Sequence, residues 1–305
     1  MNKFKKFFIA ISLIFCLVFP SVIWGAGSLS NYGENAWMGH LFGSAYTPAA
    51  TIYLALATAN PGEAATGASM SEVANSGSYA RKAIAFAAAS SRKVVQTGIV
   101  SFTAATGSWG TVTNWAIVDS ITYGEGNVLA YGAFSTSFSP VSGNTVSVAS
   151  GQVQVEISAS SGAGFTTYLV HKMLDLMFRN QAYSQPTTCI ALMDTTGADA
   201  DTTLTGAGKE VAGTDYARVL VNKAGGSTPK WAAVSGGATD NADAITFATV
   251  GAGGWGQIVA AAIVDSCTLD AGNELAYDNS NVVDQTPNAG DTVSFAVGAF
   301  DVSIE

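Results

Sequence analysis

Histidine is nearly absent from this chain, with two in 305 residues beside three cysteines and seven prolines. His40 and His171 have no second histidine or reactive cysteine near them in sequence, which excludes a local multi-histidine metal centre or a His-based nucleophile. No Gly-x-Ser-x-Gly elbow and no phosphate-binding loop occurs. No repeated pair of carboxylates stands out for glycoside hydrolysis. Charge is scarce too: 11% of residues are charged, with 13 basic against 22 acidic and a net charge of −9. An acidic chain repels phosphate backbones, so nucleic acid is excluded as a partner. The expectation is a protein without catalytic residues, cofactor or bound metal.

Long apolar runs are missing after the first twenty residues. Lys3, Lys5 and Lys6 precede an apolar stretch from Phe7 to Phe19, broken only by Ser12. That stretch is short for a bilayer span, which needs about 20 residues. With small residues at Gly25, Ala26 and Gly27 it reads as a signal peptide over residues 1–25, cleaved after Gly25 or Ala26. An uncleaved anchor is the other reading of these flanks. Lipidation at Cys16 is excluded, because Phe15 stands where a small residue belongs. The expected location is secreted, extracellular or cell-surface, with no stable membrane span after cleavage. Cleavage removes three of the 13 basic residues, so the mature charge is 10 − 22 = −12. Low charge with 48% apolar residues fits strands buried on much of their surface, some of it against other subunits.

What the sequence does contain, it contains twice. Tyr79-Ala80-Arg81 recurs as Tyr216-Ala217-Arg218, and Gly107-Ser108-Trp109-Gly110 as Gly253-Gly254-Trp255-Gly256. Ala116-Ile117-Val118-Asp119-Ser120 recurs unchanged as Ala262-Ile263-Val264-Asp265-Ser266. The offset grows from 216 − 79 = 137 to 262 − 116 = 146. An insertion of about nine residues therefore falls near residues 225–237.

Each copy opens with helical spacing. Ser30 or Asn31 is positioned to cap a run through Phe42, and Thr167 to cap a run through Phe178. A proline turn and a strand follow, Ile52 to Leu56 and Cys189 to Leu192. Matching strands are then expected at Val100–Phe102 and 244–247, 112–118 and 258–264, 128–131 and 274–277, and 145–148 and 292–295. The last pair, residues 153–157 and 300–304, alternates apolar and polar residues as half-buried antiparallel strands do. The expected fold is mainly β: two tandem antiparallel β-sandwich, jelly-roll-like domains, each with one N-terminal helix. The domains are expected at residues 26–157 and 165–305, joined by a flexible linker at 158–164.

The order of these elements resembles the small β-domains of phage tail-fibre-like, virion-associated proteins. A capped helix, a proline turn and a Tyr-Leu-Ala-Leu strand come first. They are followed by Ser78 to Arg81, Gly107 to Gly110, Ile117 to Asp119 and Gly126 to Tyr131, with Ala289 to Val293 in the second copy. The resemblance covers nearly all of residues 30–305. It implies a structural, non-enzymatic module that trimerises or stacks on its neighbours. The leader and the doubling depart from that pattern and suggest a cell exporting a phage-like module to its own surface.

Several residues invite a site. Tyr79, Arg81, Tyr216 and Arg218 suit carboxylate binding, or else pair internally with an acid such as Asp119 or Asp265 as structural anchors. Trp109 and Trp255, flanked by glycine, are either exposed stacking platforms for sugars or lids on a core. Asp194, Asp199 and Asp201, and Asp240, Asn241 and Asp243, have Ca²⁺-like spacing or are solvated loops. Cys189 and Cys267 form a disulfide or remain small buried hydrophobes. The leading expectation is an exported, non-enzymatic subunit that self-assembles as a homo-oligomer, filament or surface layer, with residues 26–29 free to reach a neighbour. The alternative is a secreted adhesin whose partner is a surface glycan held by the two tryptophans.

Overall fold

Short apolar runs punctuated by glycine fold here as short strands, and the two copies fold alike. The computed structural model describes residues 16–18, 27–159, 162–198, 200, 203–204, 209–279 and 285–304; of residues 16–18 it describes the backbone. After β1 (Cys16–Val18), the first copy runs β2 (Ser28–Leu29), α1 (Asn31–Phe42), β3 (Ile52–Ala57), β4 (Lys82–Ile84), β5 (Lys93–Val95), β6 (Val100–Ser101), β7 (Val112–Val118), β8 (Val128–Phe138), β9 (Thr145–Val148) and β10 (Gln154–Glu156). The second runs β11 (Ala163–Phe165), α2 (Thr167–Arg179), β12 (Cys189–Met193), β13 (Val219–Leu220), β14 (Ala238–Thr239), β15 (Ile245–Thr249), β16 (Ala260–Val264), β17 (Glu274–Asp278), β18 (Thr292–Phe295) and β19 (Val302–Ser303).

Each half is built on a five-stranded antiparallel sheet, ordered β2-β8-β7-β3-β4 in the first and β11-β17-β16-β12-β13 in the second. The central registers correspond, with Tyr53 opposite Val118 and Cys189 opposite Val264. A second layer comes from antiparallel ribbons, β6–β9 and β5–β10 against β15–β18 and β14–β19. β1 lies before the first copy, inside the stretch read as a leader, and runs parallel to β9. The fold is mainly β, with two sheet-rich halves in tandem. Leu54, Leu56, Ile117 and Leu129 point between the layers with Val94, Val146 and Val155. The sheet's other face is apolar too, which is why its strands carry alanine. Ala65 and Met70 lie over Ala55 and Ala116, and Leu204 lies over Ala191 and Ala262.

Both helices are tied to their own sheet through the cap. Ser30 Oγ accepts from Gly33 N at 3.1 Å and donates to the Val128 carbonyl. The second cap is Thr166, one residue before the expected Thr167. Its hydroxyl accepts from Leu169 N at 3.4 Å and donates to Glu274 O at 2.7 Å. A cap that also reaches a strand carbonyl answers orphan groups on two elements at once.

Two expectations change here. The end of the expected joint is already part of the second half, since Ala163 and Gly164 pair with Asp278 and Tyr277 in the second sheet. The segment expected to reach a neighbour instead completes its own sheet. Ser28 and Leu29 pair with Tyr131 and Ala130, and Gly27 N donates to Gln154 O at 2.9 Å.

Each helix also packs against the other half. Phe42 at the end of α1 meets Trp231 edge-on with centroids 4.7 Å apart, and Phe178 at the end of α2 meets Phe86 at 5.6 Å. The last carbonyls of α1 are answered from the second half. Gln185 Nε2 donates to His40 O and Gly43 O at 3.0 Å each, Ala224 N to Phe42 O at 2.8 Å, and Lys223 Nζ to Leu41 O. Lys223 also donates to Pro186 O at 2.7 Å. Burial draws its pKa down to about 8, and those two carbonyls are what the ammonium receives in place of water. One apolar cluster runs through both halves without a break. Phe42→Ala should therefore cost about 3–5 kcal/mol while unfolding stays a single transition. Urea unfolding followed by tryptophan fluorescence and far-UV circular dichroism checks this; two resolved transitions would contradict the shared core.

Candidate functional site

The repeated Tyr-Ala-Arg motif stands at the centre of a buried polar knot in each half. Where β4 peels away from β3, the amide of Leu56 is left without a strand partner, and it donates to Tyr79 Oη at 2.9 Å. Tyr79 Oη donates in turn to Glu72 Oε1 at 2.9 Å. Arg81 grips the same carboxylate with two parallel bonds, Nε to Oε1 and Nη2 to Oε2, both 2.8 Å. Its remaining donors reach Ser120 O and Glu125 O at 2.8 Å and Gly67 O at 3.4 Å.

Among the described residues the second copy repeats all of these but the bond to Gly67 O. Leu192 N donates to Tyr216 Oη at 2.8 Å, and Tyr216 Oη to Glu210 Oε1 at 2.9 Å. Arg218 spans Glu210 at 2.8 and 2.7 Å and donates to Ser266 O and Ala271 O at 2.7 and 2.8 Å. The side chains of these two ion pairs are at most 6% exposed. Burial first, and then the neighbouring carboxylate, holds both tyrosine hydroxyls protonated well above their ordinary range.

The arginines therefore pair with Glu72 and Glu210, not with Asp119 and Asp265 as the sequence suggested. The aspartates close the adjoining loops. Asp119 accepts from Asn127 N at 2.6 Å and Nδ2 at 2.8 Å, and Asp265 from Asn273 at 2.5 and 2.7 Å. The glycine before each asparagine is required. Gly126 and Gly272 have φ of 81° and 83°, and a Cβ at either would lie 2.5 Å from the aspartate Oδ1. The sequence did hold a signal for the glutamates, a Glu-Val pair at 72–73 and 210–211, upstream of each Tyr-Ala-Arg.

Trp109 and Trp255 sit beside the knots at 3% and 2% exposure. Each meets its tyrosine edge-on at 5.3 Å. Each also lies across Phe102 or Phe247, at 6.0 and 6.4 Å. Neither ring offers a face to a sugar, so the platform reading gives way to the lid. Trp109 Nε1 donates to Gly77 O at 2.9 Å.

The other candidates are equally occupied. Cys189 at the head of β12 and Cys267 beyond β16 are disulfide-bonded, their Cα atoms 5.4 Å apart. Asn241 is fully buried and clamps the backbone, donating to Asp243 O and Ala296 O and accepting from Phe300 N. Asp243 accepts from Lys230 N at 3.2 Å. Asp199 and Asp201 lie outside the described residues, and among those described no cluster of three acids, histidines or cysteines could hold a metal. His40 is buried on α1 and accepts from Tyr46 N at 3.2 Å. His171 lies on α2, far along the chain, and accepts from Arg92 N at 3.1 Å. No helix of the described residues is long and apolar enough to cross a membrane.

The knot's chemistry is that of a rivet. In Glu72 and Arg81 two charges are desolvated together, and tyrosine and backbone fill their remaining bonding capacity. Removing one partner leaves the other charge buried, at a typical cost of about 3–5 kcal/mol. Arg81→Met and Arg218→Met should each destabilise by that amount in chemical denaturation, whereas Tyr79→Phe should cost only about 1–2 kcal/mol. A loss below about 1 kcal/mol for either arginine would assign the pair to the solvent-screened class.

Comparison with known families matches two stretches of the chain, residues 28–156 and 164–303, to the family model described as podophage GP4 fiber I protein gp80. Among curated proteins nothing matches the chain.

Proposed function

The chain belongs to the podophage GP4 fiber I protein gp80 family, and on that premise we propose that it is a non-enzymatic structural subunit, exported and self-assembling into a fibre, filament or surface layer. The family gives a structural tail-fibre role. The observation carrying the finer reading is that the match takes in both copies nearly end to end.

The geometry supports the same reading. In both halves the residues most conspicuous in sequence, Tyr79, Arg81, Asp119 and their counterparts Tyr216, Arg218 and Asp265, are engaged in internal bonds. We take them to be scaffold. The bonded Cys189 and Cys267 suit an oxidising compartment and so support export behind the basic, apolar leader. Self-association suits the low charge and the large apolar side chains left exposed on the connections between strands. No observation favours the adhesin reading, because the tryptophans it depended on are buried.

Negative-stain electron microscopy and sedimentation of the purified chain, with its amino terminus read by mass spectrometry, test the proposal. Ordered oligomers or fibres that begin at Ala26 or Gly27 are expected. Dispersed monomers at high protein concentration would overturn the assembly reading, and an intact Met1 on exported protein would overturn cleavage.

A further inference from the structure

The seam between the halves is nearly two-fold symmetric, and one departure from that symmetry has a chemical consequence. Each half presents a two-residue turn with both residues left-handed, Ser91-Arg92 (φ 50° and 61°) and Gly236-Gly237 (φ 56° and 67°). The last strand of each half bonds its own turn in the same way, Ile157 N to Arg92 O and Ile304 N to Gly237 O, both 3.0 Å. Each turn then offers one amide to the helix of the other half. Gly237 N donates to Asn35 Oδ1 on α1 at 3.1 Å, and Arg92 N donates to His171 Nε2 on α2 at 3.1 Å. Asn35 and His171 are equivalent helix positions, 171 − 35 = 136 apart, the same offset that relates Tyr32 to Tyr168.

An amide oxygen accepts a hydrogen bond at any pH, whereas an imidazole nitrogen accepts only while unprotonated. We propose that the seam is an acid-sensitive clasp at one of its two ends. His171 holds the Ser91-Arg92 turn while its ring is neutral and releases it on protonation, whereas Asn35 holds the opposite turn throughout.

The surroundings favour the neutral ring. On α2 the charged groups are Lys172, Asp175 and Arg179; the ribbon carries Arg92, Lys93 and Glu156, and β17 carries Glu274 and Asp278. Asp175 already accepts from Ala89 N at 2.9 Å and from Arg179 at 3.0 Å. Arg92 donates to Ile157 O, Phe165 O and Ser158 O at 2.9–3.0 Å, so a protonated His171 would place a second cation beside a fixed one. Burial lowers the His171 pKa, Asp175 raises it and Arg92 lowers it, with a net downward shift. With the folded value below the ordinary 6.5, the unfolded chain takes the proton first. Stability from this contact is present above the unfolded value of about 6.5 and is lost as pH falls from there through the lower folded value.

The test substitutes the other half's own solution, His171→Asn, in the full chain. At pH 7.5 amide hydrogen exchange at Arg92 should be similar in both proteins. At pH 5.0, corrected for intrinsic exchange, the wild type should lose protection at Arg92 while the variant keeps it. Gly237 should change in neither. Equal losses at Arg92 in both proteins, or an equal loss at Gly237, would overturn the clasp. Should the variant fail to fold, the wild-type imidazole titration followed by NMR decides. A His171 midpoint below 6.5 with the Arg92 amide shifting in step supports the proposal, and a midpoint at or above 6.5 overturns it.

Discussion

A buried carboxylate that must be fully answered sets the architecture of each half. Glu72 and Arg81 sit in a chain with little charge, and desolvating them is unfavourable unless every donor and acceptor finds a partner. The partners come from three segments: the β3 backbone, the long connection from β3 to β4 that holds Gly67, Glu72 and Tyr79, and the loop between β7 and β8. Satisfying one ion pair thus fixes the path of two loops. It also holds the cover, with Ala65 and Met70, over the outer face of the sheet. The alanine-rich strands follow from this, since side chains on that face have to be small for backbone to lie across them. The disulfide adds a covalent tie in the second copy only, where the first has Tyr53 and Ile121.

The halves depend on each other in a second way. Neither helix is covered by its own sheet alone, and the carbonyls ending α1 would be orphans without Gln185, Lys223 and Ala224. The pair is thus one folding unit made of two copies, and the helix faces are consumed within it. On the proposed reading of a self-assembling fibre, contacts between chains fall elsewhere. Ile99, Ile121, Val141 and Val297, all on connections between strands, are large apolar side chains more than half exposed. Such positions suit neighbours better than a solvent-facing existence.

Much of this was legible in the residues. The doubling, both helices and the longer strands were readable because periodicity over five or more residues is a strong signal. The strands β2, β4, β5, β11, β13 and β14 were not, since two or three residues carry no period. The knot was half legible. Tyr79 and Arg81 drew attention because they recur as a triplet, while Glu72 lies nine residues upstream in a loop, and only the fold brings it to the guanidinium. Asp119 was the nearer guess for a partner, but its carboxylate is held by Asn127, and that commitment depends on the left-handed Gly126. The tryptophans were readable either way, and burial selects the lid. Flanking glycines read equally well as exposure or as close packing, and burial depends on contacts that local sequence does not contain.

Where the copies have diverged, the surroundings explain why. Trp115 fits β7 because Gly27 and Gly132 lie against its ring, where any Cβ would collide; its counterpart is Ala261, and the second sheet has Ala163 and Asp278 at the matching places. Arg92 reads the chain leaving the first half, bonding Ile157, Ser158 and Phe165. Ser158 belongs to the connection between copies and Phe165 to β11, where the second half begins. At the equivalent Gly237 a Cβ would lie 3.0 Å from Glu34, so an arginine there would meet a side chain instead of a linker. A duplicated module thus keeps its copies alike where each half faces itself and separates them where the covalent connection breaks the two-fold. His171 opposite Asn35 belongs to that second class, since it grips the arginine turn beside the connection.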